Sequence, residues 1–154
     1  MAIDVLLVED GPGDIRLTQE AFARVNSDVR LHIAMDGEEA IAFLSQEGEC
    51  SESPRPDLIL LDLNLPKKSG LEVLEHIQAN EGLKSIPTVI LTTSNAPDDI
   101  HQSYTLQANS YVRKPVQFDK FESVVRSINK FWFEKAKLPQ DSSQVVPHAQ
   151  GIQL

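Results

Sequence analysis

The stretch LLVEDGPGD, Leu6–Asp14, runs three apolar residues directly into two adjacent acids, Glu9 and Asp10, and then into Gly-Pro-Gly. Ile3–Val8 is short and rich in branched residues, which predicts a strand buried on both faces. Two carboxylates at the end of such a strand repel each other. They require either a solvated rim or a compensating cation. Acids placed just before a helix also favour its dipole, so the pair alone does not decide between these readings.

Working outward, Gly11–Gly13 reads as a turn. Asp14–Val25 places Ile15, Leu17, Thr18, Ala21, Phe22 and Val25 at spacings of three and four, an amphipathic helix. Val29–Ala34 follows as a second strand and Gly37–Leu44 as a second helix. The polar stretch Ser45–Pro56 is a surface loop. Leu58–Leu61 is solidly apolar, ends on Asp62, and is the best central strand. Pro66–Gly70 reads as a turn, Leu71–Ile77 as a helix, Thr88–Leu91 as a strand and Asp98–Leu106 as a helix. Ser110–Val112 is a short strand stopped by Lys114-Pro115, and Phe118–Phe133 is a final helix. Five strand–helix alternations predict an α/β domain, with a parallel sheet covered by helices on both faces.

The 154 residues are 41% hydrophobic, enough for one core. A formal net charge of −9 argues against a broad nucleic-acid footprint or an anionic membrane surface. The single cysteine, Cys50, allows no intrachain disulfide and fits a reducing compartment. The N-terminus lacks a basic region, and its apolar run is too short for a signal peptide or a span. These features predict a soluble cytoplasmic protein. Residues 1–135 form the domain, and 136–154 form a polar C-terminal extension. The chain after Phe133 is too short for a DNA-binding or enzymatic output domain.

In an open parallel sheet, the functional crevice lies beyond the carboxyl ends of the strands. Glu9 and Asp10 end the first predicted strand, Asp62 the third, Thr92 the fourth and Lys114 the fifth. Each is the first polar group after an apolar run, and if the strands are neighbours these five side chains converge on one rim. A hard divalent cation, Mg2+, offsets the repulsion of three carboxylates with oxygen ligands. Asp10 and Asp62 would bind it directly, Glu9 through water, and the Asn64 carbonyl would add a neutral oxygen. His32, His76, His101 and His148 stand at no metal-ligand spacing and read as surface or packing residues, which argues against zinc. Lys114 adds a mobile cation, so the rim holds what phosphoryl transfer needs, with Asp62 as the nucleophile. Thr92, Thr93 and Ser94 compete for the hydroxyl role. Pro115 invites a cis peptide that would turn Lys114 inward.

LLVED, LILLDLNLP, VILTTS and YVRKP, in that order, resemble the receiver domain of bacterial response regulators over about the first 135 residues. Lys114 also follows Thr92 at the family's interval. The resemblance implies a flavodoxin-like (βα)5 three-layer sandwich with a central five-stranded parallel sheet. It implies that Asp62 accepts phosphate from a histidine kinase, and that Asp10, Asp62 and the Asn64 carbonyl hold Mg2+ with Glu9 outside them. Thr92 and Tyr111 would form the switch, and Lys114 would pair with the phosphoryl group. DIRLTQEAF, LNLPKKSGLEVL, the polar insertion before PDLILLD, and INKFWFEKAKLP are similar to the small regulators paired with cyanobacterial phytochromes. That narrower family implies a phytochrome-type sensor histidine kinase as partner and a homodimer. Gly11 and Ser69 depart from it, standing where Asn and Asp are expected.

Simpler readings exist for single residues. Tyr111 would also serve as a plain core aromatic, and Lys114-Pro115 as a loop pair. Phe131, Trp132 and Phe133 cover more than one helix face, so one of them is expected outward, on a homodimer surface. A phosphohydrolase would use the same acids, but Asn64 stands where its second aspartate is needed.

Overall fold

The computed structural model describes residues 2–46, 48 and 51–135; Cys50 and the extension 136–154 lie outside them. Five strands, β1 (Ile3–Val8), β2 (Val29–Ala34), β3 (Leu58–Leu61), β4 (Thr88–Thr92) and β5 (Ser110–Arg113), form one parallel sheet in the order β2-β1-β3-β4-β5. The helices α1 (Pro12–Val25), α2 (Gly37–Ser45), α3 (Gly70–Ala79), α4 (Pro97–Thr105) and α5 (Phe118–Asn129) connect and follow them. This is the doubly wound, flavodoxin-like arrangement.

Side chains alternate across a strand, so each strand feeds two cores. Leu6, Val8, Ile59, Leu61 and Ile90 meet Ala40 and Leu44 of α2 and Val73, Leu74 and Ile77 of α3. Val5, Leu7, Leu58, Leu60, Val89 and Leu91 meet Ala21 and Phe22 of α1 and Phe121, Val125 and Ile128 of α5. All four residues of β3 are fully buried, which is why that segment reads as unbroken apolar sequence.

The structure moves several expected boundaries. The Gly-Pro-Gly segment is not a free turn: Gly11 is the N-cap of α1 and Pro12 its first residue. Proline suits that position, because the amide it lacks has no partner there anyway. Gly70 opens α3 rather than closing a turn, with the Ser69 hydroxyl accepting from the Glu72 amide at 3.2 Å. The last helix stops at Asn129 and continues as one π-helical turn, Lys130–Lys135. Buried Asn129 links the two, accepting from Asn26 Nδ2 at 2.8 Å and donating to Glu134 Oε2 at 2.9 Å. No peptide bond among the described residues is cis, so the cis link expected at Pro115 is absent. Lys114 turns inward because its amide continues the ladder, donating to Thr92 O at 2.7 Å.

Two glycines let backbone approach backbone beneath the rim. A Cβ on Gly37 would lie 2.1 Å from Lys68 O. One on Gly70 would lie 2.3 Å from Asp62 O and 2.5 Å from Leu63 Cα. Gly70→Ala is therefore expected to destabilise the domain by about 3 kcal/mol, since only backbone movement relieves the clash. Urea denaturation measures it, and a loss below about 1 kcal/mol would contradict the packing described.

Candidate functional site

Strands β1, β3, β4 and β5 each bring polar residues to the same rim, and the ladder fixes where. The Glu9 amide donates to Ala34 O at 2.9 Å and the Asp62 amide to Val8 O at 3.0 Å. With the Lys114 amide on Thr92 O, pairing continues one residue past the strand ends. Glu9, Asp62, Thr92 and Lys114 are all buried there, and Asp10 is exposed.

Lys114 Nζ sits among three carboxylates. It contacts Glu9 Oε1, Asp14 Oδ2 at 2.8 Å and Asp62 Oδ2 at 3.0 Å. An ammonium has three donors and no acceptor, so this set uses all of them. Glu9 is equally committed, because its Oε2 accepts from the Gly11 amide at 3.1 Å. The other oxygen of Asp62 accepts from Thr92 Oγ1 at 2.8 Å and from the Asn64 amide at 3.1 Å.

Burial pushes the Glu9 carboxyl up, and the nearby Asp62 charge adds to it; the Lys114 contact and the Gly11 amide offset only part. Burial alone would push Lys114 down. The hydrogen bonds to Asp14 and Glu9, with the charge of Asp62, outweigh it and hold the ammonium above the ordinary lysine value. Lys114 is thus a fixed positive charge at neutral pH.

Glu9, Asp10 and Asp62 each offer a carboxylate oxygen within 4.8 Å of the others. The donors are all hard oxygens, which fits Mg2+ or a similar ion and not a thiolate- or imidazole-bound metal.

Of the three competing hydroxyl residues, Thr92 reaches Asp62 while Thr93 is exposed. Ser94 has a separate part: its amide lies 3.4 Å from Thr92 Oγ1, and its carbonyl accepts from Tyr111 Oη at 2.8 Å. Tyr111 is half-buried, and its own amide donates to Tyr104 Oη at 3.1 Å. Sequence reasoning missed Asp14 at Lys114 and Ser94 as the link to Tyr111. For Asp14 the sequence showed only that it is the next acid after the pair, in the first turn of the helix that follows.

Phe131, Trp132 and Phe133 lie away from the rim, on the π-helical turn. Trp132 and Phe133 pack partly on the α1/α5 core, and Phe131 is 55% exposed. Phe131 and Trp132 meet edge to face, with centroids 4.8 Å apart. They border a groove of about 650 Å³ with Val112, Val124 and Ile128.

Residues 5–126 match the family model of the response regulator receiver domain. The chain belongs to that family. Response regulator Rcp1 of Synechocystis sp. is 50% identical over 135 residues, 88% of this chain and 92% of the relative. The phosphorylated cyanobacterial phytochrome response regulator RcpA superposes with a TM-score of 0.88 at 46% identity, covering 91% of this chain and all of that one. The Mn2+-bound form of Rcp1 gives 0.85 at 48% identity, over 90% and 99% of the two chains. Over the region compared, the chain is a response-regulator receiver similar to Rcp1 and RcpA. Among the described residues, no helix is long and apolar enough to cross a membrane.

Removing Lys114 should expose how the rim balances its charge. Lys114→Ala leaves three acids facing one another, and is expected to cost about 3 kcal/mol in chelator. Millimolar Mg2+ should then stabilise the variant more than the parent, because binding relieves more repulsion. Urea titrations with and without the ion check this; equal stabilisation of both proteins would contradict it.

Proposed function

We propose that Asp62 is the phosphoacceptor of a two-component phosphorelay, charged by a sensor histidine kinase of the phytochrome type. The observation that carries this is the environment of one buried carboxylate. One Asp62 oxygen faces an obligate ammonium, and the other a threonine hydroxyl. In the transfer, a bond forms between an Asp62 oxygen and phosphorus as the phosphorus–nitrogen bond of a phosphohistidine breaks. The imidazole keeps the electron pair and takes up a proton. Lys114 faces the charge gathering on the phosphoryl oxygens, and Thr92 supplies a hydrogen bond.

Mg2+ is the cofactor in this reading, held by Asp10, Asp62 and the Asn64 carbonyl, and it would offset the charge of acids and phosphoryl group together. In this reading Glu9 stands outside the direct ligands and acts through water, its carboxylate held by Lys114 and the Gly11 amide. The Asn64 amide on Asp62 keeps the loop against the carboxylate.

The phosphoryl group acts as a switch. Thr92 follows it, the Ser94 loop follows Thr92, and Tyr111 is tied to Ser94. Repacking therefore spreads to the surface formed by α4, β5 and α5, between two states a few kcal/mol apart. The protein turns over nothing except its own phosphoryl group, and it works in the cytoplasm beside its kinase. The phytochrome-type partner is supported by the likeness to Rcp1 and RcpA. A homodimer is supported by the exposed Phe131 and the apolar groove beside it, which a second copy would cover.

Asp62→Asn is expected to take up no phosphate from acetyl phosphate or from a phosphorylated kinase. Undiminished labelling would sink the proposal. For the dimer, light scattering at high micromolar concentration should give twice the chain mass, and Phe131→Asp should return it to one. A parent protein that stays monomeric with and without phosphate rules the dimer out.

A further inference from the structure

We propose that Asp14 is a positioning residue for phosphotransfer: with Glu9 it holds Lys114 from two sides, so that the third donor points at Asp62. The inference rests on the reading of Asp62 as phosphoacceptor. The geometry behind it is specific. Asp14 lies in the first turn of α1, three residues after the Gly11 cap. Its backbone is tied down by Thr18 Oγ1, which donates to Asp14 O at 2.7 Å. Among the described residues its side chain pairs with Lys114 alone. It is not one of the three acids whose oxygens gather for a metal.

Exposure separates its role from those of its neighbours. The side chains of Glu9 and Asp62 are 5% and 8% exposed, whereas that of Asp14 is 40% exposed. Asp14 therefore closes the solvent side of the ammonium. Without it, one donor of Lys114 is free to turn to water, and the long unbranched stem lets the ammonium drift with it. Misplacement of a group that must meet the transferring phosphoryl oxygens lowers the rate without touching the nucleophile.

The test is labelling of the full chain by acetyl phosphate, in which the bond from phosphorus to acetate oxygen breaks, acetate leaves with the electron pair, and Asp62 gains the phosphoryl group. Asp14→Asn should lower the labelling rate constant about tenfold, the worth of a charge-assisted hydrogen bond. Mg2+ affinity by calorimetry should stay within about twofold of the parent, and Asp14→Glu should recover most of the rate, which a merely structural role does not predict. A parent-like rate for Asp14→Asn overturns the inference. So does a loss that tracks weakened Mg2+ binding, or one that Asp14→Glu leaves unrepaired. Asp62→Asn run alongside separates the two failures. If it still takes up phosphate, the phosphoacceptor reading has failed. If it is dead while Asp14→Asn runs at full speed, only the positioning role has.

Discussion

One ammonium among acids sets the terms for this receiver. Lys114 is buried with Glu9 and Asp62 against it, and Asp14 at the solvent edge. Glu9 and Asp62 would be costly at that depth without a cation, and Lys114 would be costly without them. The sheet makes the arrangement possible, because the strand-end amides of residues 9, 62 and 114 are pinned by ladder bonds before any side chain is placed. Yet the balance is incomplete. With Asp10 the rim carries four acids against one lysine. That surplus is what gives a divalent cation a reason to come there, and the cation in turn would let an anionic phosphoryl group approach.

The same constraint explains how a local event reaches the surface. Asp62 Oδ1 already holds Thr92, and Ser94 stands between Thr92 and Tyr111 through its amide and carbonyl. These contacts run along a loop that leaves the sheet after β4. They do not run through the packed core, which has little freedom to move. The Tyr111 amide, at the open edge of the sheet, is capped by Tyr104 from α4. On the proposed reading, a change in what Asp62 carries would pass to α4 and β5 along these hydrogen bonds.

Most of this was legible in the sequence, for reasons that differ by residue. Leu58–Leu61 announced itself because a strand buried on both faces has no polar positions to blur it. Glu9 and Asp62 were legible because a polar group directly after such a run has one place to go, the strand end; Asp10 follows from Glu9, and Lys114 from its place after β5 and its interval to Thr92. The interval to Lys114 favoured Thr92 but left Thr93 open, and the structure decides between them because Thr92 Oγ1 reaches Asp62 while Thr93 is exposed. The proline-flanked start of α1 was misread, since Gly-Pro-Gly suits a turn and a helix entrance equally. Asp14 and Ser94 were missed because their roles depend on distance in space, across 100 residues for Asp14 and Lys114. Periodicity carries no record of that pairing.

The choice of lysine at position 114 follows from the geometry of its partners. Glu9, Asp14 and Asp62 approach from three separate elements, the end of β1, the first turn of α1 and the end of β3. A tetrahedral ammonium can aim one donor at each, whereas the planar fork of arginine serves one or two carboxylates lying in its own plane. Lysine is also the cation whose pKa the surroundings can move. Here the acids move it upward, so burial does not cost the site its charge. A compact charge on an unbranched stem can hand a donor from an Asp62 oxygen to a phosphoryl oxygen a few ångströms away with little rearrangement of its anchors. On the proposed reading, the acids that make the buried lysine tolerable are also the ones that would hold it ready for a phosphoryl group.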